Sequence, residues 1–267
     1  MLSSLASITS ISNSNSGNLY NDTSSMELNK YGLPLPIIYI PIRDNNYANW
    51  ANSSQDLTNV SITNSPSIVS SNSFRSNSQY MNFVQGSNQR LNLPNRNVDS
   101  AFSVSLWVKL LPGNVDTANI WCISNYFTRA ESDKKYTWAI WYGPVGTAIR
   151  FEYARDGPEG IVRRGLTQSG VNTNTWYHIV VIRKNDNSLE LWVNNVKSTA
   201  QISGINEITL PTDGWTSVFH ACGKSSYEPI QSTGAQIDDI RYYNSVLTPT
   251  DIQTLYNARN QTFDFVR

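Results

Sequence analysis

Cysteine is nearly missing from this chain: Cys122 and Cys222 are the only two among 267 residues. No disulfide framework holds such a sequence together. The pair either meets across neighbouring strands or serves as two small buried thiols, and the second role suits unpaired cysteine better. Histidine is equally scarce, with His178 and His220 alone. Net charge is absent, because 20 Lys and Arg balance 20 Asp and Glu. That balance removes any electrostatic reason to expect nucleic acid or an anionic membrane as partner. No run approaches the roughly 18 apolar residues of a membrane span. The stretch Met1–Lys30 has neither a basic n-region nor a continuous apolar segment, so no secretory signal is expected. Its Ser/Asn-rich composition reads instead as a flexible arm, residues 1–34, ahead of a domain at 35–267.

Sustained helical periodicity is also lacking. What is present is aromatic and β-branched: 39% of residues are hydrophobic and 11% aromatic, with eight Trp and fourteen Tyr, enough for a sizeable core. These residues fall in short runs separated by Asn, Asp, Gly, Ser and Pro, which is the pattern of strands and turns. "PIIYIPI" (Pro36–Ile42) reads as an edge strand, since its prolines cannot donate ladder hydrogen bonds. "YMNFV" and "RLNLP" alternate as a strand pair around a Gly86–Ser87 turn. "AFSVSLWVKLL" puts Phe102, Val104, Leu106 and Val108 on one face, and Ser103, Ser105, Trp107 and Lys109 on the other. "YTWAIWYG" and "IRFEYAR" form a further pair.

The most informative run is "NTNTWYHIVVIRKNDNSLELWVNN" (Asn172–Asn195). Trp176, His178, Val180 and Ile182 share one face of its first strand; Tyr177, Ile179, Val181 and Arg183 share the other. A strand apolar on both sides is central in its sheet and covered above and below. The chain returns as "LELWV", with Leu189, Leu191 and Val193 opposite Glu190 and Trp192. It then turns at Asn194–Asn195, residues that tolerate the positive φ of a type I′ turn. One helix is expected, in "LTPTDIQTLYNA": Thr248 caps it, Pro249 fits its first position, Asp251 completes a capping box, and Ile252, Leu255 and Tyr256 form its apolar stripe. Many regularly spaced strands with one late helical turn predict an all-β, two-sheet antiparallel sandwich or jelly roll.

Three blocks then resemble a known family. "FSVSLWVKLL", "NTWYHIVVIRKNDNSLELWVNNVKS" and "IDDIRYYNSVLTPTDIQTLYN" follow the order of the signature strands of laminin-G-like, concanavalin-A-like jelly-roll domains. The resemblance covers about Leu35 to Arg259. The Asp-Gly turn of that family is Asn194–Asn195 here, which keeps the turn and removes an acid. Its early Asp-Ser-x-Gly segment, associated with calcium, has a loose counterpart in "NWANSSQDL". The resemblance implies a non-catalytic binding, adhesion or structural module, and fold alone does not fix a ligand.

The chemistry-bearing residues agree. Glycoside hydrolysis by a retaining enzyme needs two carboxylates about 5–5.5 Å apart. "EYARDGPEG" offers Glu152, Asp156 and Glu159, but a turn interrupts them. No nucleophile elbow, phosphate loop or metal-ligand spacing is present. His178 reads as a core histidine satisfied by backbone or a carboxylate. Asp238 is expected on the core face with Ile240 and Tyr242, and Asp239 on the opposite face with Arg241. A core-facing carboxylate needs backbone donors, a cation or a metal, so Asp238 and Asp239 are either struts or candidate calcium ligands. Asp213, Trp215, Tyr227, Trp141 and Tyr142 are candidate ligand-binding residues, offering an aromatic platform beside polar groups. The expected partner is a glycan or a protein surface. The expected setting is a virus particle or similar assembly, with the N-terminal arm strapped to neighbouring subunits. The alternatives are a free extracellular lectin and, third, a glycosidase.

Overall fold

A computed structural model describes residues 32–42, 60–71, 78–84, 87, 89–93, 101–112, 120–128, 136–142, 148–157, 160–186, 188–201, 216–221 and 234–258. The first five strands are β1 (Ile38–Ile40), β2 (Ser61–Thr63), β3 (Ser67–Ser71), β4 (Ser78–Phe83) and β5 (Arg90–Leu93). They are followed by β6 (Phe102–Leu110), β7 (Ile120–Thr128), β8 (Tyr136–Tyr142), β9 (Ala148–Gly157) and β10 (Gly160–Ser169). The last six are β11 (Trp176–Arg183), β12 (Leu189–Val193), β13 (Val196–Lys197), β14 (Ala200–Gln201), β15 (Thr216–Ala221) and β16 (Ala235–Tyr243). Helix α1 (Pro249–Asn257) closes the described chain.

The strands form two eight-stranded sheets, paired antiparallel throughout. The first runs β13-β12-β11-β6-β16-β4-β3, with β1 also on β16; the second runs β14-β10-β9-β8-β7-β15-β5-β2. β11 lies between β12 and β6, and all eight of its residues are buried. The reason is the one legible in its composition. Tyr177, Ile179 and Val181 face the other sheet in the main core, together with Val104, Leu106 and Val108 of β6 and Ile140 and Phe151 of the second sheet. Val180 and Ile182 face outward, into a cluster with Leu33, Tyr243, Leu247, Ile252 and Leu255. Each fully buried aliphatic side chain of this kind contributes about 1.5–3 kcal/mol.

The hairpin β12–β13 turns at Asn194 (φ 50°) and Asn195 (φ 64°), both left-handed as a type I′ turn requires. α1 starts as its cap residues dictate. Thr248 Oγ1 accepts from the Asp251 amide (3.2 Å), and Asp251 Oδ2 accepts from the Thr248 amide (2.7 Å). Ser103 of β6 anchors the approach to the helix: its hydroxyl donates to the Ser245 carbonyl (2.7 Å) and accepts from the Leu247 amide (3.0 Å). α1 thereby lies on the outer face of the first sheet, with Ile252 and Leu255 buried against it.

Two expectations need correction. The strands β4 and β5 are not a pair: β4 sits in the first sheet between β16 and β3, and β5 in the second between β15 and β2. Both send alternate residues (Met81 and Phe83, Leu91 and Leu93) into the same core, so alternation alone does not tell a hairpin from a crossing between sheets. Gln89 steadies the crossing, accepting from the Val84 amide (2.7 Å) and donating to the Ser65 carbonyl (3.2 Å).

The second correction concerns β16. Asp238 stands opposite Trp107, but the next paired residue is Arg241, opposite Ser105, so a bulge intervenes. Asp239 occupies the bulge at φ 57°, a conformation that a short polar side chain tolerates. The extra residue resets the alternation. Ala235 and Ile237 before it, and Ile240 and Tyr242 after it, all face the main core. Asp238 therefore shares the outer face with Trp107 rather than the core face with Ile240 and Tyr242.

Candidate functional site

The sequence-predicted site residues separate. Asp213, Trp215 and Tyr227 lie outside the described residues, as does Cys222. Trp141 and Tyr142 lie in β8, in register with Arg150 and Ile149 of β9; their backbone is described and their side chains are not. Asp238 and Asp239 come to the outer face of the first sheet, 0% and 4% exposed. Glu152 is buried on β9, opposite Ala139 and Gly165, while the Asp156 side chain and the whole of Glu159 are outside what is described. Among the described residues no three His, Cys, Asp or Glu side chains come together to hold a metal ion. No described helix is long and apolar enough to cross a membrane.

At the centre of that outer face, polar groups are used internally. The Arg241 guanidinium donates to both Asp239 oxygens, Nε to Oδ1 at 3.0 Å and Nη2 to Oδ2 at 3.2 Å. It lies 4.6 Å from the Tyr39 ring centroid, joining β1 to β16. Burial works against the Arg241 charge, but the Asp239 carboxylate outweighs it and holds its pKa well above the ordinary value. Burial pushes the Tyr243 hydroxyl up to about 12, against the pull of Arg241. The Asp239 carboxylate that was a candidate calcium ligand is thus engaged by a cation of the protein itself, as a strut is.

His178 sits one row away. Its Nε2 is 2.9 Å from the Ser105 hydroxyl, and its ring lies 5.0 Å from Trp107 and 6.0 Å from Tyr256 of α1. Tyr256 stacks on Trp107 at 5.8 Å and 17°. The partner expected from sequence was backbone or a carboxylate; here a serine hydroxyl is in contact, because Ser105 and His178 lie on adjacent strands facing the same way. A serine beside a histidine invites comparison with a hydrolase nucleophile. Ser105 is 2% and His178 1% exposed, beneath the helix, where a substrate has no approach.

The margin of the same face is different. Glu190 of β12 accepts from Lys184 at 2.6 Å and Lys197 at 2.8 Å, both on Oε1, and from the Trp192 indole Nε1 on Oε2 at 2.9 Å. Burial alone would raise the Glu190 pKa, but the hydrogen bonds from Lys184, Lys197 and Trp192 overcome it and hold it at about 2. The two ammonium-bearing side chains remain 38% and 47% exposed. Trp192 packs with its body on the outer cluster, and the Lys197 ammonium lies 5.8 Å above its ring. Sequence reasoning passed over Trp192, although the signal was there. A two-residue turn at Asn194–Asn195 puts Lys197 directly across from Trp192, and strand alternation puts Glu190 on the same side.

The concanavalin A-like lectin/glucanases superfamily matches residues 85–253. No curated protein matches the sequence. Among solved structures, the Trypanosoma rangeli sialidase in complex with sialic acid aligns over 89% of this chain and 37% of its own, with a TM-score of 0.60 and 11% identity. The binding domain of Paraclostridial Mosquitocidal Protein 1 aligns over 84% and 52%, at 0.58 and 14%. The ligand binding domain of botulinum neurotoxin serotype D, in complex with N-acetylneuraminic acid, aligns over 84% and 50%, at 0.56 and 13%. The chain spans only about a third to half of these proteins, and at such identities they share its fold alone. With the family match covering more than half the chain and the two-sheet sandwich in place, this protein belongs to the concanavalin A-like lectin/glucanase superfamily.

Proposed function

We propose that this chain is a non-catalytic binding module for a glycan-bearing surface, working as a structural or receptor-binding component of a virus particle or similar assembly. One observation carries the non-catalytic part. Asp239, His178 and Ser105, at the centre of the first sheet, are buried, and they are engaged with one another or with Arg241. General acid–base work on a sugar needs two groups flanking a bound bond in a cleft. A sandwich whose Asp239, Ser105 and His178 are engaged in this way supports recognition at its rim instead. The neighbours bound to sialic acid and N-acetylneuraminic acid support a glycan as the ligand class.

The assembly setting rests on sequence. The Ser/Asn-rich stretch 1–34 and the zero net charge suit a strap and a surface that prefers contact to repulsion. A free extracellular lectin is the competing placement. A glycan array with and without calcium, run beside a sugar-release assay, tests the function. Selective binding without release is expected. Flat binding under both conditions removes the glycan reading, and steady release of sugar removes the non-catalytic one. Cross-linking from Lys30 in purified particles tests the placement: links to other subunits are expected, and a monomer linked to nothing overturns it.

A further inference from the structure

The geometry points to a subsite for a carboxylated sugar at the margin of the first sheet, formed by Trp192, Lys197 and Lys184; it rests on the glycan-binding reading and names where and for what chemistry. The ring is preorganised. Trp192 is backed by the outer cluster, and its indole N–H is tied to Glu190 Oε2 at 2.9 Å. A ligand stacking on it meets a surface whose orientation is already fixed. The type I′ turn holds Lys197 opposite Trp192, and the Asn194 side chain locks that turn by accepting from the His178 amide (2.9 Å).

The ammonium groups keep donors that the protein does not use. Two ammonium groups converge on Glu190 at 2.6 and 2.8 Å, and the Asp186 carboxylate also acts on the Lys184 charge. The Glu190 carboxylate also accepts from the indole, so its acceptor capacity is largely used. Each ammonium has three donors, and with 38% and 47% of these side chains exposed the remaining donors are open to a ligand. The open donors of Lys197 lie beside the aromatic ring. A pyranose with an apolar C–H face and a carboxylate satisfies both: the face lies on Trp192, and the carboxylate reaches Lys197 and Lys184. A neutral sugar offers the ring its face but gives the ammonium donors no anionic acceptor. Hydrogen bonds from ammonium to carboxylate are among the stronger ones available, and they weaken with salt at an exposed site.

The test uses the full chain and 3′-sialyllactose, followed by calorimetry, with lactose as the neutral control. Sialyllactose is expected to bind and lactose to bind at least about tenfold more weakly, a difference of one charge-assisted contact. Trp192→Ala and the double variant Lys184→Gln/Lys197→Gln are each expected to weaken sialyllactose binding about tenfold. The double variant keeps the ring and its packing, so it remains informative should Trp192→Ala fail to fold. Wild-type binding that both variants retain in full overturns this subsite and leaves the glycan reading standing. Equal affinity for lactose overturns the charge argument. Absence of any glycan binding by the wild type overturns both.

Discussion

At the centre of the first sheet, the ion pair Asp239–Arg241 leaves 6% of each side chain exposed. At the margin of the same face, Glu190 shares its carboxylate with Lys184 and Lys197, which keep 38% and 47% of theirs. Both are carboxylates held by cations, and the covering differs. In the buried pair a charge has lost its water, and removing its mate strands it. At the margin water still screens both cations, so the cluster contributes less to stability and retains donors for an outside partner. Cover separates the sealed pair from the solvated one in this sheet.

Substitutions sharpen that contrast. Asp239→Ala strands a buried guanidinium and should cost about 3–5 kcal/mol in equilibrium urea denaturation. Asp239→Gly restores the left-handed backbone but not the charge, and should recover only about 1 kcal/mol of that. A loss below about 1 kcal/mol for Asp239→Ala would mean the centre is not sealed. Glu190→Gln should cost less, about 1–2 kcal/mol, because its partners are solvated. The same group gives a pH signature. Held at about 2 against an ordinary 4.5, Glu190 contributes fully above the unfolded value and loses that contribution as pH falls through the folded one. Denaturation midpoints should therefore fall more in the wild type than in Glu190→Gln between those two values. Thr248→Ala, which removes the cap of α1, should cost about 1 kcal/mol. Smallest of all, raising salt to 1 M should lower the stability of the wild type by a few tenths of a kcal/mol through the margin cluster, an effect that Glu190→Gln abolishes.

Much of the framework was legible because a strand's period is rigid. The double-sided apolar pattern of Trp176–Arg183 demanded cover on both faces, and both are covered. Asn194–Asn195 and Thr248-Pro249-x-Asp251 announce a turn and a cap through backbone chemistry local to a few residues. The failures are those of non-local choice. Alternation in β4 and β5 fits one sheet or two equally well. The bulge at Asp239 shifts every later residue to the other face, and its sequence sign, two adjacent aspartates inside an apolar strand, was open to reading as a metal site. Ser105 became the partner of His178 only once strand order placed β6 beside β11. The Glu190–Trp192–Lys197 cluster was deducible from turn length and alternation together, each of which alone says nothing about it.

The division between sealed centre and receptive margin is tested most directly by two-dimensional amide NMR of the full chain titrated with 3′-sialyllactose. Shifts confined to residues 184–197 and the His178 amide bonded to Asn194, with Ser105 and Asp238–Arg241 unmoved and the sugar recovered intact, are the predicted result. Perturbation centred on Ser105 and Asp239, or conversion of the sugar during the titration, would contradict it.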